Sequence, residues 1–344
     1  MKNLHKIKNI IVLSIFILIF SIISIFHGVI NPFIERVLFY NFNIVNAKDS
    51  LVVHFVSVGQ GDAVVITLPS GENMLIDTGP QRNNVDYTNY LDDRVLNGYF
   101  DKDIDYLIMT HADLDHIGGT LRLLHNYNVR NLYMPRVAPE GQKVYYDELK
   151  EYLDENVEYF YLDAGDITIE DCFIKIFDGY ETASTNESSS VIRVEYLGKS
   201  FLFTGDINST REKDLIRAYG DELQSNVLKV SHHGSKESST AEFLGCVSPE
   251  YAVISVGAEN IYGHPTNDVL LRLDNVGSEV LRTDKDGNIV FVVNNNIGIG
   301  HLEGYYTVSY MNLDVRILIL IVNVVLVVNL AIVIVPKRTL KNKR

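Results

Sequence analysis

Short apolar runs separated by polar segments fill the middle of the chain, and their spacing predicts an α/β fold. Gly71 and Gly198 separate neighbouring runs and predict hairpin turns. Strand runs come early and late with helical patterns between them, which predicts two sheets packed face to face with helices outside. Runs rich in Val, Ile and Phe predict strands at Leu51–Val58, Ala63–Leu68, Met74–Ile76, Ile104–Met109, Phe173–Phe177, Val191–Leu197, Phe201–Phe203, Val227–Val230 and Ala252–Val256. Helical patterns lie at Tyr87–Leu96, Gly119–Asn126, Tyr146–Glu155, Arg211–Tyr219 and Val269–Val276.

Two longer apolar runs lie at the ends of the chain and predict transmembrane helices. Ile10–Ile30 and Ile317–Val335 are each long enough to cross the hydrocarbon core of a bilayer. Lysines precede the first run and a basic tail follows the second, so the positive-inside rule places both termini in the cytoplasm. The sequence therefore predicts a protein of the cell membrane whose central region lies on the extracytoplasmic side.

Each apolar run has a simpler alternative. The first could be a cleaved signal peptide, but the small-residue site at Val45–Ala47 lies far beyond the end of the run. The second could be a buried core helix, although its length and basic tail favour a span. We expect residues 1–36 to form an anchor with a cytoplasmic start, 48–312 one α/β domain, and 313–344 a transmembrane helix with a basic cytoplasmic tail. Whether these spans pair with another membrane protein is left open.

Charge and cysteine content restrict the function. The 344-residue chain has a net charge of -14, and 10 of its 30 basic residues lie before residue 37 or after residue 315. The region between carries 20 basic and 43 acidic residues, which disfavours extended binding of nucleic acid unless metal ions intervene. Cys172 and Cys246 could form one disulfide, but two cysteines cannot build a cysteine metal site.

The segment Thr110–Gly119 contains the densest set of potential metal ligands. It joins the end of a predicted strand to the start of a predicted helix, and it carries His111, Asp113, Asp115 and His116. Packing does not account for these residues, because unpartnered polar groups are costly to bury. The alternative is a solvated acidic loop with incidental histidines, which predicts no partners elsewhere in the chain.

Three later segments supply such partners. Asp206 follows the strand Phe201–Phe203, the pair His232 and His233 follows Val227–Val230, and His264 lies in a loop after Ala252–Val256. Strand ends at one edge of a sheet converge, and functional residues concentrate on loops held by such a scaffold. We therefore expect these groups to meet in one metal site.

These segments together resemble the metallo-β-lactamase fold superfamily. Within it the sequence is most similar to the extracellular hydrolase domain of the ComEC type of competence DNA-uptake protein. Each matching segment is weak alone, but they occur in the family's order between Leu51 and Val293. They are His54–Asp62, Leu75–Gly79, Thr110–Gly119, Asn186–Ser189, Phe203–Asp206, Leu228–Ser235, Ser255–Gly257, Tyr262–Pro265 and Arg282–Asp284.

The resemblance implies a four-layered αββα sandwich that holds two divalent metal ions. His111 and Asp113 would hold the first ion, and Asp115 and His116 the second. Asp206 would bridge both ions. One of the adjacent histidines after Val230 would complete the second position, and the sequence leaves open whether it is His232 or His233.

Four accessory residues have weaker assignments. Asp77 would orient the ligand loop from outside the ligand set, or it only holds a backbone loop. Asp62 either takes part in the site or caps a turn. Asn186 and Ser189 stand where most of the superfamily has a histidine, and Asn186 either lies near the metal or starts a turn.

The same resemblance bears on the metal. Asp113 replaces the second histidine of the superfamily's usual string, a substitution that the ComEC-like branch shares. Oxygen ligands in place of imidazole shift the preference from zinc towards manganese, or leave the first ion weakly held. Manganese or zinc, and one tightly held ion or two, remain open.

Three functions compete. The first is phosphodiester hydrolysis, a nuclease activity that takes single-stranded DNA or a surface polymer as substrate, with Asp115 and His264 as catalytic residues. His264 would assist the leaving group from the substrate pocket, unless it is a structural loop histidine. The second is a hydrolase of the same fold acting on a lactone, thioester or β-lactam. The third is an inactive binding or scaffold protein of the membrane, which the intact ligand set disfavours.

Overall fold

The computed structural model describes residues 49–80, 103–137, 143–162, 164–169, 171–177, 184–258, 260–295 and 298–301. The two predicted spans and the helix predicted at Tyr87–Leu96 lie outside these residues. Across the described ranges, every helix is too short or too polar to cross a bilayer.

The described strands form two mixed sheets. The first has eight strands in the order β15-β14-β1-β2-β3-β4-β5-β6, and the second has seven in the order β13-β12-β11-β10-β9-β8-β7. In chain order the strands are β1 (Leu51–Phe55), β2 (Val64–Thr67), β3 (Asn73–Ile76), β4 (Asp103–Ile108), β5 (Asn128–Met134), β6 (Tyr159–Tyr161), β7 (Gly165–Ile169), β8 (Cys172–Phe177), β9 (Val191–Tyr196), β10 (Lys199–Phe203), β11 (Val227–Lys229), β12 (Tyr251–Ile254), β13 (Glu279–Arg282), β14 (Ile289–Asn294) and β15 (Gly298–His301).

The two sheets pack face to face through an apolar core. The ring of Phe55 lies 5.9 Å from that of Phe203 and 6.1 Å from that of Phe291, so side chains from both sheets interlock. Burial of each such side chain contributes about 1.5–3 kcal/mol. This core lies between the two sheets, as the predicted sandwich requires.

Helices cover the outer faces of both sheets. Leu107 and Leu149 belong to the core between the first sheet and its helices, and Leu228 and Phe243 to the core between the second sheet and its own. The αββα arrangement predicted for the domain is therefore present. In chain order the helices are α1 (Leu114–Ile117), α2 (Thr120–Asn126), α3 (Lys143–Asn156), α4 (Ser209–Tyr219), α5 (Ala241–Val247), α6 (Asn267–Asn275) and α7 (Thr283–Asp286).

Local sequence explains several of the boundaries. Both predicted hairpins are present: β2 and β3 join at Gly71, and β9 and β10 join through Leu197 and Gly198, which have φ values of 50° and 71°. Paired positive φ values match the twist of a two-residue hairpin. Asn208 caps α4, since its side chain accepts hydrogen bonds from the first-turn amides.

The disulfide considered for Cys172 and Cys246 is not formed. Both cysteines are free, with Cys172 buried in the core between the sheets and Cys246 on α5. Because they lie on different faces of the second sheet, the geometry of a disulfide is out of reach.

The strand directions bring the polar segments to one edge of the sandwich. β3 and β4 are parallel in the first sheet, and β10, β11 and β12 are parallel in the second. Ligands in such folds bind beyond the carboxyl ends of the strands. The segments that follow these strands carry the candidate site.

Candidate metal centre

Asp77 anchors the ligand segment to the end of the first sheet. It directly follows β3, is 1% exposed and has a φ of 58°. Its carboxylate accepts hydrogen bonds from the Thr110 amide at 2.8 Å and the Thr110 hydroxyl at 2.7 Å, and lies 2.7 Å from His116 Nδ1. This contact places Nδ1 against Asp77 and leaves Nε2 to face the centre.

Four side chains converge where the two sheets meet. His116 Nε2 lies 3.3 Å from Asp206 Oδ1, and His233 Nε2 lies 3.4 Å from Asp206 Oδ2. His233 Nε2 is also 3.3 Å from Asp115 Oδ2. One donor atom from each of the four residues lies within 4.8 Å of all the others. Two of these residues come from the first sheet and two from the second.

The donor atoms of this cluster fit a cation. The Nε2 atoms of His111, His116 and His233 and Oδ1 of Asp206 are buried, and none makes a hydrogen bond of acceptable geometry in the described part of the chain. A buried polar atom without a partner costs about 1–3 kcal/mol, and a divalent cation would satisfy several of them at once. Imidazole and carboxylate donors suit zinc, manganese or iron.

His111 and Asp113 lie beside this cluster. His111 Nε2 is 3.8 Å from Asp113 Oδ2, and the rings of His111 and His116 have centroids 4.0 Å apart. Asp113 stands at the N-cap of α1, yet its carboxylate accepts no capping hydrogen bond. The Asp113 carboxylate instead has a hydrogen bond with the Thr185 side chain, and one of its oxygens faces His111.

His232 and His233 take different places. His233 is 1% exposed, and its Nδ1 lies 2.8 Å from the carbonyl oxygen of Ser255, which orients its Nε2 towards the centre. The His232 side chain is 26% exposed, and its Nε2 is 3.9 Å from Asp206. Both histidines have positive φ, 50° and 52°. Of the two alternatives, the geometry favours His233 as the ligand.

Charges in the centre are strongly coupled. Burial disfavours the charged form of His233, but Asp206 and other carboxylates outweigh burial and raise its pKa to about 10. The same balance raises the pKa of His116 well above its usual range. Burial opposes ionisation of Asp206 too, yet His233 and His116 hold its pKa well below the usual value. Burial, together with His116, lowers the pKa of His111. Protons on His233 and His116 thus offset the negative charge of the carboxylates. A bound cation must displace these protons.

Lys229 is a site residue that the sequence analysis did not identify. It is 2% exposed, its Nζ contacts Asp62 Oδ2, and it lies 3.9 Å from Asp206 Oδ1. The available signal was a single lysine in the otherwise apolar strand Val227–Val230, since lysine is rarely buried unless paired. Asp62 also belongs to the site region, through Lys229 and through its amide, which donates to the Asp115 carbonyl at 3.1 Å.

A second acidic group lies behind the first but is less suited to a metal. Oxygen atoms of Asp62 and Asp77 and a nitrogen of His116 lie within 4.8 Å of one another. However, the His116 nitrogen on this side is the one bonded to Asp77, and the Lys229 ammonium already pairs with Asp62. This group is therefore a support for the centre.

Asn186 and Ser189 differ in their placement. Ser189 Oγ accepts a hydrogen bond from the Asp206 amide at 3.1 Å, so it helps to position Asp206. Gly205 is required beside it, because a Cβ there would lie 2.9 Å from Ser189 Cβ and the φ is 51°. Asn186 Oδ1 is buried without a hydrogen-bond partner in the described residues, and the Asn186 carbonyl accepts from the Ser189 amide.

His264 lies at the rim of the centre. Its ring is 5.7 Å from that of His232 and stacks at 5.8 Å on Tyr262, which is 64% exposed. The Asn260 side chain donates to the His264 carbonyl and accepts from its amide, which holds the loop in shape. Burial and the neighbouring His232 lower the pKa of His264. A substrate phosphate beside the ring would raise that pKa again.

Comparisons with known proteins agree with this geometry. Residues 56–258 match the family described as the metallo-beta-lactamase superfamily. The chain therefore belongs to this superfamily, and its class is that of metal-dependent hydrolases.

The chain is also related to competence proteins. It is 34% identical to ComE operon protein 3 of Bacillus subtilis (strain 168) over 265 residues, which cover 72% of this chain and 33% of that protein. It is 34% identical to competence protein ComA of Neisseria gonorrhoeae over 188 residues, which cover 55% of this chain and 25% of that protein. The match thus spans about a third or less of these relatives.

A solved structure with a similar chain path is the metallo-beta-lactamase fold protein YhfI from Bacillus subtilis. It has a TM-score of 0.45 and 10% sequence identity, and the match covers 68% of this chain and 96% of that chain.

Proposed function

We propose that this protein is a metal-dependent phosphodiesterase that cleaves single-stranded DNA at a dinuclear centre. The observation that carries the proposal is the convergence of Asp115, His116, Asp206 and His233, whose donor atoms lie within 4.8 Å of one another. The inward nitrogens of both histidines are buried without hydrogen bonds among the described residues. A scaffold protein without chemistry has no need for such an arrangement.

The residues present divide the work of hydrolysis. His111 and Asp113 would hold one ion, Asp115, His116 and His233 the other, and Asp206 both. Two bound divalent cations supply Lewis acidity at the phosphoryl group and lower the pKa of an attacking water. Of the remaining groups, His264 at the rim would hydrogen-bond the leaving oxygen and donate its proton once the substrate's charge has raised the ring pKa.

Support for DNA as the substrate comes from the relatives. One is named competence protein ComA and another ComE operon protein 3, and a third relative, 29% identical over 248 residues, is named recombination protein 2 of Haemophilus influenzae. The acidic composition of the domain argues that binding is weak outside the centre. We therefore expect a high KM for DNA.

A substrate panel tests the reaction. The purified full-length chain, loaded with Mn²⁺ or Zn²⁺, is assayed on bis-p-nitrophenyl phosphate, labelled single-stranded DNA and a phosphocholine ester, and also on nitrocefin, a lactone and a thioester. We expect turnover of the phosphodiesters. Turnover of the carbonyl substrates alone would replace phosphodiester hydrolysis with hydrolysis at a carbonyl carbon, and turnover of the phosphocholine ester alone would point to a surface polymer.

Two variants make the panel specific. Asp115→Ala removes a ligand and should lower kcat by at least a hundredfold. Asp214→Ala removes a partly exposed carboxylate on α4 and should leave kcat unchanged. Metal content measured on the same samples separates an inactive scaffold, which should hold no stoichiometric metal, from an enzyme given the wrong substrate.

We further propose that the domain acts outside the cytoplasm, held by the spans at Ile10–Ile30 and Ile317–Val335. The basic residues that flank both runs support this orientation. Protease treatment of intact spheroplasts should degrade the central domain and leave both termini protected. Protection of the domain until lysis would overturn this part of the proposal.

A further inference from the structure

Lys229 stands at a position where the strand pattern calls for an apolar residue. In β11 the side chain of Val227 enters the core between the sheets, and that of Leu228 faces the helices. Successive side chains alternate, so Lys229 faces the first sheet, as Val227 does. A buried ammonium needs a carboxylate partner, and Lys229 pairs with Asp62 in the loop between β1 and β2 of the first sheet.

Asp62 is in turn tied to the ligand segment. Its amide donates to the carbonyl oxygen of Asp115 at 3.1 Å, and its own carbonyl accepts from the amide of Gly79 at 2.8 Å. Gly61 lies so close that a Cβ on it would meet the Asp115 carbonyl oxygen at 2.2 Å. The loop that contains Asp62 therefore packs directly on the backbone of a metal ligand.

Lys229 is equally close to the ligands of the second sheet. It precedes the His232–His233 turn by only three residues, and His233 Nδ1 lies 3.5 Å from Asp62 Oδ1. Contacts thus connect Lys229 on β11, through Asp62, to Asp115. His233 follows β11 closely, and its Nε2 atom lies 3.3 Å from Asp115 Oδ2.

We propose that Lys229 is a positioning residue of the metal centre: through Asp62 it fixes the distance between Asp115, on α1 beside the first sheet, and His233, in the turn that follows β11 of the second sheet. The inference rests on the proposed metal centre. It does not depend on which substrate is cleaved.

A purely electrostatic role and a positioning role of Lys229 predict opposite changes in metal affinity when the lysine is removed. A positive charge 3.9 Å from Asp206 repels cations, so removing it should tighten metal binding if charge were its only effect. If Lys229 sets the ligand distance, removing it should weaken metal binding. The direction of the change in Mn²⁺ affinity therefore decides between them.

The test compares three variants of the full-length chain, titrated calorimetrically with Mn²⁺ alone. Lys229→Met and Asp62→Asn each leave a buried charge unpaired, and either could unfold the domain. The double variant Asp62→Asn/Lys229→Met has the net charge of the wild type and no unpaired charge. We expect it to fold and to bind Mn²⁺ at least tenfold more weakly, with kcat reduced more than KM.

A matched lysine serves as the control. Lys143 forms an exposed pair with Asp147 on α3, and Lys143→Met should change neither Mn²⁺ affinity nor kcat. A double variant with wild-type affinity and kcat, or a folded Lys229→Met that binds Mn²⁺ more tightly, would overturn the inference alone. A wild-type chain that binds neither Mn²⁺ nor Zn²⁺ would overturn the metal centre and this inference together.

Discussion

Asp77 holds His116 from behind, with its carboxylate 2.7 Å from Nδ1, while Nε2 on the opposite side of the ring faces Asp206 at 3.3 Å. The His116 ring is fully buried, so it cannot rotate away from the orientation that places it between Asp77 and Asp206. A carboxylate behind a ligating histidine fixes its tautomer and makes it a stronger donor.

Asp77→Asn should therefore weaken metal binding without removing a ligand. The amide keeps the shape but loses the charge that draws the Nδ1 proton, and such changes typically lower affinity about 10–100-fold. Calorimetric titration with Mn²⁺ measures the change. Asp105→Asn is the control, because Asp105 is also a buried carboxylate that accepts an amide hydrogen bond, from Asn73. Equal affinities for the Asp77 and Asp105 variants would contradict the assignment.

Replacing the two adjacent histidines one at a time should give unequal results. His233→Ala removes a buried donor that faces both Asp115 and Asp206, so we expect one fewer equivalent of bound metal. His232→Ala should retain the full metal content, since its ring is partly exposed and 3.9 Å from Asp206. Metal analysis by mass spectrometry after dialysis distinguishes them. The reverse pattern would make His232 the ligand.

The metal-free protein should lose stability as the pH rises. The pKa of His233 is about 10 in the folded chain, against about 6.5 unfolded. A raised pKa means that the folded state binds the proton more tightly, so the stabilisation is complete below pH 6.5 and disappears towards pH 10. Melting temperatures in chelator between these pH values should fall, and His233→Ala should flatten the curve. Affinity for Mn²⁺ should rise over the same range, because binding displaces the proton.

Gly61 and Gly71 offer a paired test of close packing at the centre. Both have positive φ, 140° and 90°, but only a Cβ at Gly61 meets a neighbour, the Asp115 carbonyl at 2.2 Å. Gly71→Ala should cost about 1–3 kcal/mol through backbone strain alone and leave metal binding intact. Gly61→Ala should cost more and weaken Mn²⁺ binding, because Asp115 must move. Urea unfolding and metal titration check both effects, and unchanged affinity in Gly61→Ala would exclude this coupling.

Much of the fold could be predicted because apolar periodicity survives in short strands. The hairpins at Gly71 and Gly198, the two sheets and the helices α2, α3, α4 and α6 were predicted correctly, whereas α5 was missed. β14 (Ile289–Asn294) was missed despite its apolar run, and its place beside β1 depends on a pairing that no local pattern reveals. β5 and β13 were missed because Arg130, Asn131 and Glu279 interrupt their apolar pattern.

The site could be predicted as a set of residues but not as a geometry. His111, Asp115, His116 and Asp206 follow strands, and the rule that strand ends converge was enough to group them. The choice between His232 and His233 needed the positive φ of both residues and the contact with Ser255, neither of which a sequence displays. Lys229 was missed because its partner, Asp62, is distant in sequence and lies in a loop of the other sheet.

The division of the ligands between the two sheets has a consequence for biosynthesis. The segment with His111 and Asp115 leaves the ribosome well before Asp206 and His233, and the four-residue cluster needs both groups. The growing chain must therefore complete β11 and dock its second half on the first before the cluster is assembled. Metal loading of the proposed centre would then be a late event, and a translation product truncated before Asp206 should lack half of the cluster.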